Sequence, residues 1–493
     1  MCAAINLEDI DNDFLAFAWL NLTPQARARI LANSPKTFWL FGAGASHHYA
    51  LNAFGVPVPL ANGFFKAFNK LPTSQGFDAH VGPFISFLEH YRGVSPEKAG
   101  EWNENVEDFM TSVERELEEL RESTRGRDYT AEEFGHAFSY ASVFNNMTFI
   151  FASVLNEAQN GPSMSLYRAI LDFCGPNDSF ATFNWDTLLD RALVDTGGWN
   201  PNTGYGLNFR AVLDGAWKDS MEGETKFLSK WKLFKLHGST NWLVPHMGVH
   251  FQPLEYTSSV PGSSDVFLYW NSSLPYATHK NRWKGGYVPS TYCYYPPNIP
   301  ANFFTQAELS PEPGHVFIKA THRFLSPFEE GDSEGVPSSP VLITPVRQKK
   351  YDTYSSTIQS LWTQAVKALE EARRVVIIGY SFPPTDTRAL DLFRALFATR
   401  GSEINVEIVA PGVTDIAKRI GEDYLDKLKD VKLRDIKLEE YVDVLSESMP
   451  SLMRQAAAED TEVRDWIERI YVSASRRRGG YSPSQAWGRP VSE

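Results

Sequence analysis

The 493-residue sequence is poor in cysteine and has no long hydrophobic run. Cys2, Cys174 and Cys293 stand far apart, and no CxxC pair occurs, so neither a disulfide framework nor a structural zinc ribbon is expected. No apolar stretch of about 18 residues appears, which argues against a membrane span. The first residues, MCAAINLEDIDND, are acidic where a secretory signal is basic. These absences together predict a protein of the reducing cytoplasm.

Positive charge is also scarce, because 47 Lys and Arg face 60 Asp and Glu, for a formal net charge of −13. This balance makes direct nucleic-acid binding through a broad basic face an unfavoured function, although Arg476, Arg477 and Arg478 form a local basic run. Hydrophobic residues make up 43% and aromatics 13% of the chain, which is enough apolar surface for a large core. The length predicts two or three compact units.

The stretch at 38–46, FWLFGAGAS, carries the first chemical signal. Its four apolar residues predict a buried strand, and the turn of Gly42, Ala43, Gly44, Ala45 and Ser46 predicts a phosphate-binding loop. Glycine lets backbone N–H groups approach a diphosphate without a Cβ in the way. The dinucleotide fingerprint requires a third glycine, which is missing here, so a plain strand-to-helix turn remains the alternative.

Three further apolar segments end in polar loops, at 184–186 (NWD), 237–239 (HGS) and 379–386 (GYSFPPTD). Helical patterns alternate with these segments, which predicts an α/β, Rossmann-like parallel sheet with helices on both faces. Ligands of such sheets bind beyond the carboxyl ends of the strands. Four polar loops at one edge therefore favour a nucleotide site.

Composition and periodicity divide the chain into a core and its additions. The predicted parts are a helical lead-in over 1–36, the core over 37–412, C-terminal helices over 413–472 and a mobile tail over 473–493. Within the core we predict a helical insertion at about 62–175, a loop-and-strand insertion at about 245–338, and a return to the α/β pattern with a strand at 341–344. The many glutamates of the helix at 104–122, Glu114 among them, are predicted to form a solvated face.

Three polar residues in these loops have two interpretations each. Asn184 and Asp186 either cap the following helix or hold a water or a ribose hydroxyl. His237 either bonds a backbone carbonyl or accepts a proton near neutral pH. The sequence alone leaves both alternatives open.

The motifs GAGAS at 42–46, FNWD at 183–186, LHGS at 236–239 and GYS at 379–381 occur in the order and approximate spacing of the sirtuin-like family. More narrowly, TFNWDTLL, KLHGSTNW and IIGYSFPPTD resemble the bacterial sirtuin-like domains of antiphage defence systems. The resemblance covers about 35–412. It implies a Rossmann-like NAD+ site.

The resemblance also implies roles for individual residues. Gly42, Ala43, Gly44, Ala45 and Ser46 would hold the diphosphate, Gly379 and Ser381 would flank the cofactor from the far strand, and Asn184, Asp186 and His237 would surround the nicotinamide ribose. Pro57 would stand in the family's Pro-containing loop, which here lacks the usual Phe-Arg pair. Deacetylases of the family carry a four-cysteine zinc ribbon, whereas 245–338 contains only Cys293, so no zinc or other metal is expected.

The function that follows from the resemblance is hydrolysis of the nicotinamide–ribose bond of NAD+ by an effector of antiphage defence. Such an enzyme is expected to be a homo-oligomer, controlled by a partner protein or a phage-derived trigger, and to have no membrane association. Two alternatives remain. One is an NAD-dependent protein deacylase with a peptide groove in the aromatic-rich 245–338 region. The other is a non-catalytic module that binds NAD+ or ADP-ribose and acts with a partner.

Overall fold

The computed structural model describes residues 10–32, 34–52, 54–71, 81–209, 211–214, 216–219, 228–245, 266–269, 278–279, 283–284, 292–293, 317–318, 323–324, 336–346 and 355–476. The α-helices are α1 Asn12–Asn21, α2 Pro24–Ala32, α3 Ala43–Ser46, α4 Phe64–Lys70, α5 Val81–Arg92, α6 Val106–Ser123, α7 Ala131–Ala158, α8 Ser165–Leu171, α9 Leu188–Asp195, α10 Pro201–Gly204, α11 Ser355–Glu371, α12 Thr387–Arg400, α13 Val413–Ile420, α14 Glu422–Leu425, α15 Leu438–Glu459 and α16 Thr461–Arg476.

The strands are β1 Thr37–Phe41, β2 Ser179–Thr182, β3 Ala211–Asp214, β4 Ala216–Asp219, β5 Lys232–Lys235, β6 Gly238–Pro245, β7 Phe267–Tyr269, β8 Thr278–His279, β9 Trp283–Lys284, β10 Tyr292–Cys293, β11 Phe317–Ile318, β12 Arg323–Phe324, β13 Val336–Leu342, β14 Arg374–Ile378, β15 Asn405–Val409 and β16 Asp430–Arg434.

Six parallel strands form the central sheet, in the order β16-β15-β14-β1-β2-β5. In this doubly wound, Rossmann-like arrangement β1 lies at the centre, β2 and β5 follow on one side, and β14, β15 and β16 follow on the other. Because crossovers between parallel strands are right-handed as a rule, connections that progress in opposite directions from the centre place their helices on opposite faces of the sheet. The α/β prediction is confirmed. The strand order reverses between β1 and β14, and doubly wound sheets generally bind ligands at such a switch point.

The central strands are continuous apolar runs because helices cover both of their faces. All five residues of β1 are buried, and so are the last four of β14. The edge strand β16, DVKLR, is different, because its residues are exposed or half-buried. Helix was predicted throughout 413–472, and that prediction was wrong over Asp430–Arg434. An edge strand has one sheet neighbour and needs no apolar run, so hydrophobicity did not reveal it.

A second, mixed sheet has the strand order β12-β13-β6-β7-β3-β4. In it β13 pairs antiparallel with β6, matching Val341 with Ser239 and Leu342 with Gly238. The strand predicted at 341–344 for the parallel core was therefore wrong in its partner, since 341–342 end β13 of this second sheet. Most of the predicted insertion at 245–338 lies outside the described residues.

Helices α4 to α8 fill the connection between β1 and β2 and form the helical insertion. In α6 the apolar stripe is buried as predicted, but Glu114 is buried beside Val113 and Leu117. Its assignment to a solvated face was wrong, because it lies on the flank of the buried stripe. One helix, α7, is long and apolar enough to cross a membrane, yet 62% of its apolar window is buried inside the protein. Phe151 and Met147 of α7 belong to the main core, so the apolar side chains of this helix serve internal packing.

The two N-terminal helices pack against the two C-terminal ones, around a second core that includes Phe14, Trp19, Met453 and Ile467. Helix α16 continues to Arg476. The predicted mobile tail at 473–493 was therefore wrong over 473–476, and its remaining residues lie outside those described.

A buried carboxylate ties the sheet to α15. Glu407 of β15 accepts hydrogen bonds from Arg374 Nη2 at 2.6 Å, from Tyr441 Oη at 3.1 Å and from Arg434 Nε. Burial alone would raise the pKa of Glu407, but Arg374 and Arg434 outweigh it, and the pKa lies below its usual value. Its ionised form therefore stabilises the fold at neutral pH, and this stabilisation is lost as the pH falls through the lowered pKa.

We expect Glu407→Gln to lower the free energy of unfolding by about 2 kcal/mol at pH 7, because charge-assisted hydrogen bonds are replaced by neutral ones. Thermal unfolding of wild type and variant between pH 7 and pH 3 measures this. The difference in melting temperature should shrink as the pH falls from the ordinary range of a glutamate through the lowered pKa of Glu407, where the wild-type carboxylate takes up its proton. A difference that stays constant with pH would contradict the assignment.

Candidate active site

The loops that follow β1 and β14 contact each other directly at the switch point. The N–H of Gly42 donates to the carbonyl of Ile378 at 2.9 Å, and the N–H of Gly44 donates to the carbonyl of Gly379 at 2.9 Å. These two N–H groups are therefore engaged in hydrogen bonds to the end of β14 and to the first residue after it. The turn begins the four-residue helix α3, with Ala43 exposed at its tip.

The glycines at this junction are required by the close approach of the two loops. A Cβ on Gly42 would lie 2.5 Å from Tyr380 Cα, and one on Gly379 would lie 2.2 Å from the nitrogen of Ala45. Gly379 also has a φ of +64°, a conformation that side chains rarely adopt. Loop packing thus accounts for these glycines whether or not a diphosphate binds there.

Gly379→Ala should destabilise the protein by about 2–4 kcal/mol, since a positive φ and a backbone clash add together. Gly93→Ala is the matched control, because Gly93 has the same φ of +64° and a Cβ added to it would meet no atom within 4 Å. The control is expected to lose only about 1 kcal/mol. Thermal unfolding of both variants measures the difference, and equal losses would show that the contact between the loops adds nothing.

Asn184, which follows β2, is bonded to the glycine turn. Its side-chain Nδ2 donates to the carbonyl of Gly42 at 3.0 Å and to Ser46 Oγ at 3.0 Å, and Ser46 Oγ also lies 2.8 Å from Tyr167 Oη. The Gly42 carbonyl defines the orientation of the amide, because only the nitrogen side can donate to it. Asn184 therefore keeps Oδ1 as a hydrogen-bond acceptor beside the turn.

Asp186 makes a different set of contacts. Its Oδ1 accepts from the N–H of Leu188, the first residue of α9, at 3.0 Å, although the N-cap residue of that helix is Thr187. Burial raises the pKa of this carboxyl, and nearby Lys235 opposes the shift only in part. Asp186 is thus a buried group that shapes the loop around Asn184.

A buried ion pair lies beneath this loop. Lys235 Nζ is 3.1 Å from Asp190 Oδ2, and both side chains are fully buried. Lys235 also donates to the carbonyl of Asp186, and Asp190 accepts from Tyr205 Oη. The pair links β5 to α9, and Lys235 also fixes the backbone of the NWD loop through the carbonyl of Asp186.

His237 follows β5, the strand next to β2. Its ring centroid is 4.8 Å from that of Phe183, which in turn stacks on Tyr380 at 4.4 Å. Its Nε2 lies 3.3 Å from Asp386 Oδ2. This ring nitrogen faces a carboxylate. The main-chain carbonyl of His237 accepts from Trp185 Nε1 at 3.0 Å.

Two residues predicted for the site, Pro57 and Ser381, are exposed to solvent. Pro57 lies in a loop held by Asn52, whose side chain donates to the carbonyls of Val56 and Ala158 and accepts from the N–H of Val56. Ser381 is exposed, and its carbonyl accepts from Arg419 Nη1 at 2.5 Å. Among the contacts of the described residues, none joins either side chain to Asn184 or His237.

Sequence reasoning missed Asp386, Tyr380 and Tyr167. The first two lie inside the GYSFPPTD segment, but an aspartate after two prolines is the pattern of a helix N-cap, and nothing local indicates a contact with His237. Tyr167 lies in the helical insertion, where its apolar neighbours predict only core.

No protein-family model matches the chain, and no curated protein matches its sequence. Within the part of the chain that the structure describes, no group of three His, Cys, Asp or Glu side chains is placed to hold a metal ion. The chemistry of the site residues is therefore the basis for assigning a function.

Proposed function

We propose that this chain is a sirtuin-like NAD+ hydrolase that cleaves the nicotinamide–ribose bond. One observation carries the proposal. Asn184 and His237 follow adjacent strands of a doubly wound sheet and contact the two loops at its switch point: Asn184 bonds Gly42 of the turn after β1 at 3.0 Å, and His237 lies 3.3 Å from Asp386 of the loop after β14. This is the position at which such sheets bind nucleotides. The order of the four motifs, which resembles that of the sirtuin-like family, agrees with this position.

The reaction consumes one water molecule. The bond between the anomeric carbon and the nicotinamide nitrogen breaks with its electron pair passing to nicotinamide, through a state in which the ribose carries positive charge. Water oxygen then bonds to the anomeric carbon and releases a proton, so the products are nicotinamide, ADP-ribose and a proton. A site for this reaction has to stabilise the cationic ribose and orient the water.

The side chains of the site are suited to these tasks. Asn184 Oδ1 is an acceptor for a ribose hydroxyl or the attacking water, because its Nδ2 is already engaged by Gly42 and Ser46. His237 is the group that accepts the proton, since a neutral imidazole has one unprotonated nitrogen. In this proposal the turn at 42–46 holds the diphosphate, Gly379 and Ser381 flank it, and Asp186 supports the loop around the ribose.

Such an enzyme would deplete the NAD+ of a healthy cell if it were always active. We therefore include in the proposal a cytoplasmic effector of bacterial antiphage defence, kept inactive until self-assembly, a partner protein or a phage-derived trigger activates it. NAD+ is its substrate, and no zinc takes part.

The test is to incubate the purified chain with NAD+ at several protein concentrations and to follow nicotinamide and ADP-ribose by chromatography. Equal release of the two products is expected, with a specific activity that rises with protein concentration if assembly activates the enzyme. Transfer of an acetyl group from an acetyl-lysine peptide to ADP-ribose would instead identify a deacylase. Tight NAD+ binding with no product under any of these conditions would identify a binding module.

A further inference from the structure

The carboxylate of Asp386 contacts two side chains of the candidate site. Tyr380 Oη donates to Asp386 Oδ2 at 2.7 Å, and His237 Nε2 lies 3.3 Å from the same oxygen. Asp386 is 1% exposed. A buried carboxylate is costly unless it is hydrogen-bonded or paired, so these partners account for its presence there.

Helix capping, the usual reason for an aspartate at this position, does not explain Asp386. It is the N-cap residue of α12, but its side chain makes no capping hydrogen bond to that helix. An N-cap aspartate normally accepts from the second or third N–H of its helix. Here the carboxylate is turned away from the helix and toward His237 and Tyr380.

The loop that delivers Asp386 has an unusual backbone. Phe382 has a φ of 49° and is the one residue other than glycine with a positive φ among the described residues. It precedes Pro383, and a residue before proline normally adopts an extended conformation. Such strained residues persist where the surrounding structure holds them, commonly at functional sites. Phe382 is held by its contacts with Tyr380 and Phe393 at ring-centroid distances of 4.7 and 5.4 Å.

We propose that Asp386 is a positioning residue that orients His237 and stabilises its charged form when it accepts the proton from water. Tyr380 holds the carboxylate, and Phe183 packs against the imidazole. A proton on Nε2 faces Asp386 and leaves Nδ1 as the basic nitrogen. Asp386 acts through His237 and does not touch the reacting atoms. This role rests on the proposed NAD+ hydrolysis.

Asp386→Asn tests the role, because it keeps the shape of the side chain and removes its charge. We expect kcat for NAD+ hydrolysis to fall about 100-fold, in the range for loss of acid–base assistance, while the KM for NAD+ changes less than about threefold. Tyr380→Phe keeps the stack on Phe183 and should lower kcat about tenfold. Asp172→Asn is the control, since Asp172 pairs with Arg27 at 2.6 Å before the amino end of β2, and its activity should equal that of wild type.

Melting temperatures measured beside the kinetics exclude loss of the fold as the cause, and Tyr380→Phe provides the second variant if Asp386→Asn fails to fold. A wild-type kcat in a folded Asp386→Asn or in Tyr380→Phe would overturn the role. A rise in KM with kcat unchanged would also overturn it, because that is the effect expected of a residue that only shapes the binding site.

A second measurement separates this role from the proposed reaction. In protein labelled with ¹⁵N-histidine, the imidazole signal that disappears in His237→Ala identifies His237. Asp386→Asn should shift that signal, and Asp172→Asn should leave it in place. An unmoved signal overturns the positioning of His237 by Asp386, whereas absence of NAD+ turnover by wild type with a shifted signal overturns the proposed function alone.

Discussion

His237→Ala is expected to lower the rate of NAD+ loss by about 1,000-fold, to the limit of detection, with the protein still folded. The imidazole is the proton acceptor for the attacking water in the proposed reaction, and alanine offers no substitute. The fold should persist because the backbone of His237 remains bonded. Its carbonyl accepts from Trp185 Nε1 at 3.0 Å and from the N–H of Ile343 at 2.9 Å, and neither bond uses the side chain.

The matched control is His90→Ala, in which an exposed histidine of α5 is removed. Its NAD+ loss should equal that of wild type. Nicotinamide release, circular dichroism and thermal unfolding are measured on the same preparations, so that loss of activity is separated from loss of structure. Full activity in a folded His237→Ala would refute its role as the proton acceptor.

Lys235→Met is expected to lower the free energy of unfolding by about 3–5 kcal/mol, the cost of leaving a buried charge without its partner. Asp190 and Lys235 are both fully buried, with Nζ and Oδ2 3.1 Å apart. After the substitution, the Asp190 carboxylate would retain Tyr205 as a hydrogen-bond donor but would lose its counter-charge. Thermal and chemical unfolding of the variant measure the loss.

The double variant Lys235→Met with Asp190→Asn identifies the cause of that loss. Asparagine removes the unpaired charge and can still accept from Tyr205, so we expect the double variant to be more stable than Lys235→Met alone. If it is instead less stable by the sum of the two single losses, the two side chains act independently and the ion pair is not the source of the effect.

The strands that position the candidate site were predictable because they depend on local patterns. The apolar runs of β1 and β14 are buried on both faces, and glycine-rich or polar loops follow them directly. The reversal of strand order between β1 and β14 was not predictable from those patterns, since it depends on which strands pair across about 340 residues of chain.

Other features escaped prediction for identifiable physical reasons. The edge strand β16 lacks an apolar run because one of its sides has no strand neighbour. Val341 and Leu342 of β13 look like a core strand of the parallel sheet, and apolar content alone does not tell which sheet a strand joins. Glu114 is buried because it borders an apolar stripe, which a composition-based view of an acidic helix does not detect.

The sequence by itself determined the α/β class, the polar residues that follow four strands, and Asn184 and His237 as candidates, because strand burial and the chemistry of adjoining residues are encoded locally. The predicted loop at 237–239 was wrong at Gly238 and Ser239, which begin β6. Only the tertiary structure decided that Asn184 bonds Gly42, that Asp186 accepts from the first N–H of α9, and that Asp386 faces His237. These contacts join residues more than a hundred positions apart or depend on which way a side chain turns. Their geometry follows from strand pairing and loop packing, which no local pattern specifies.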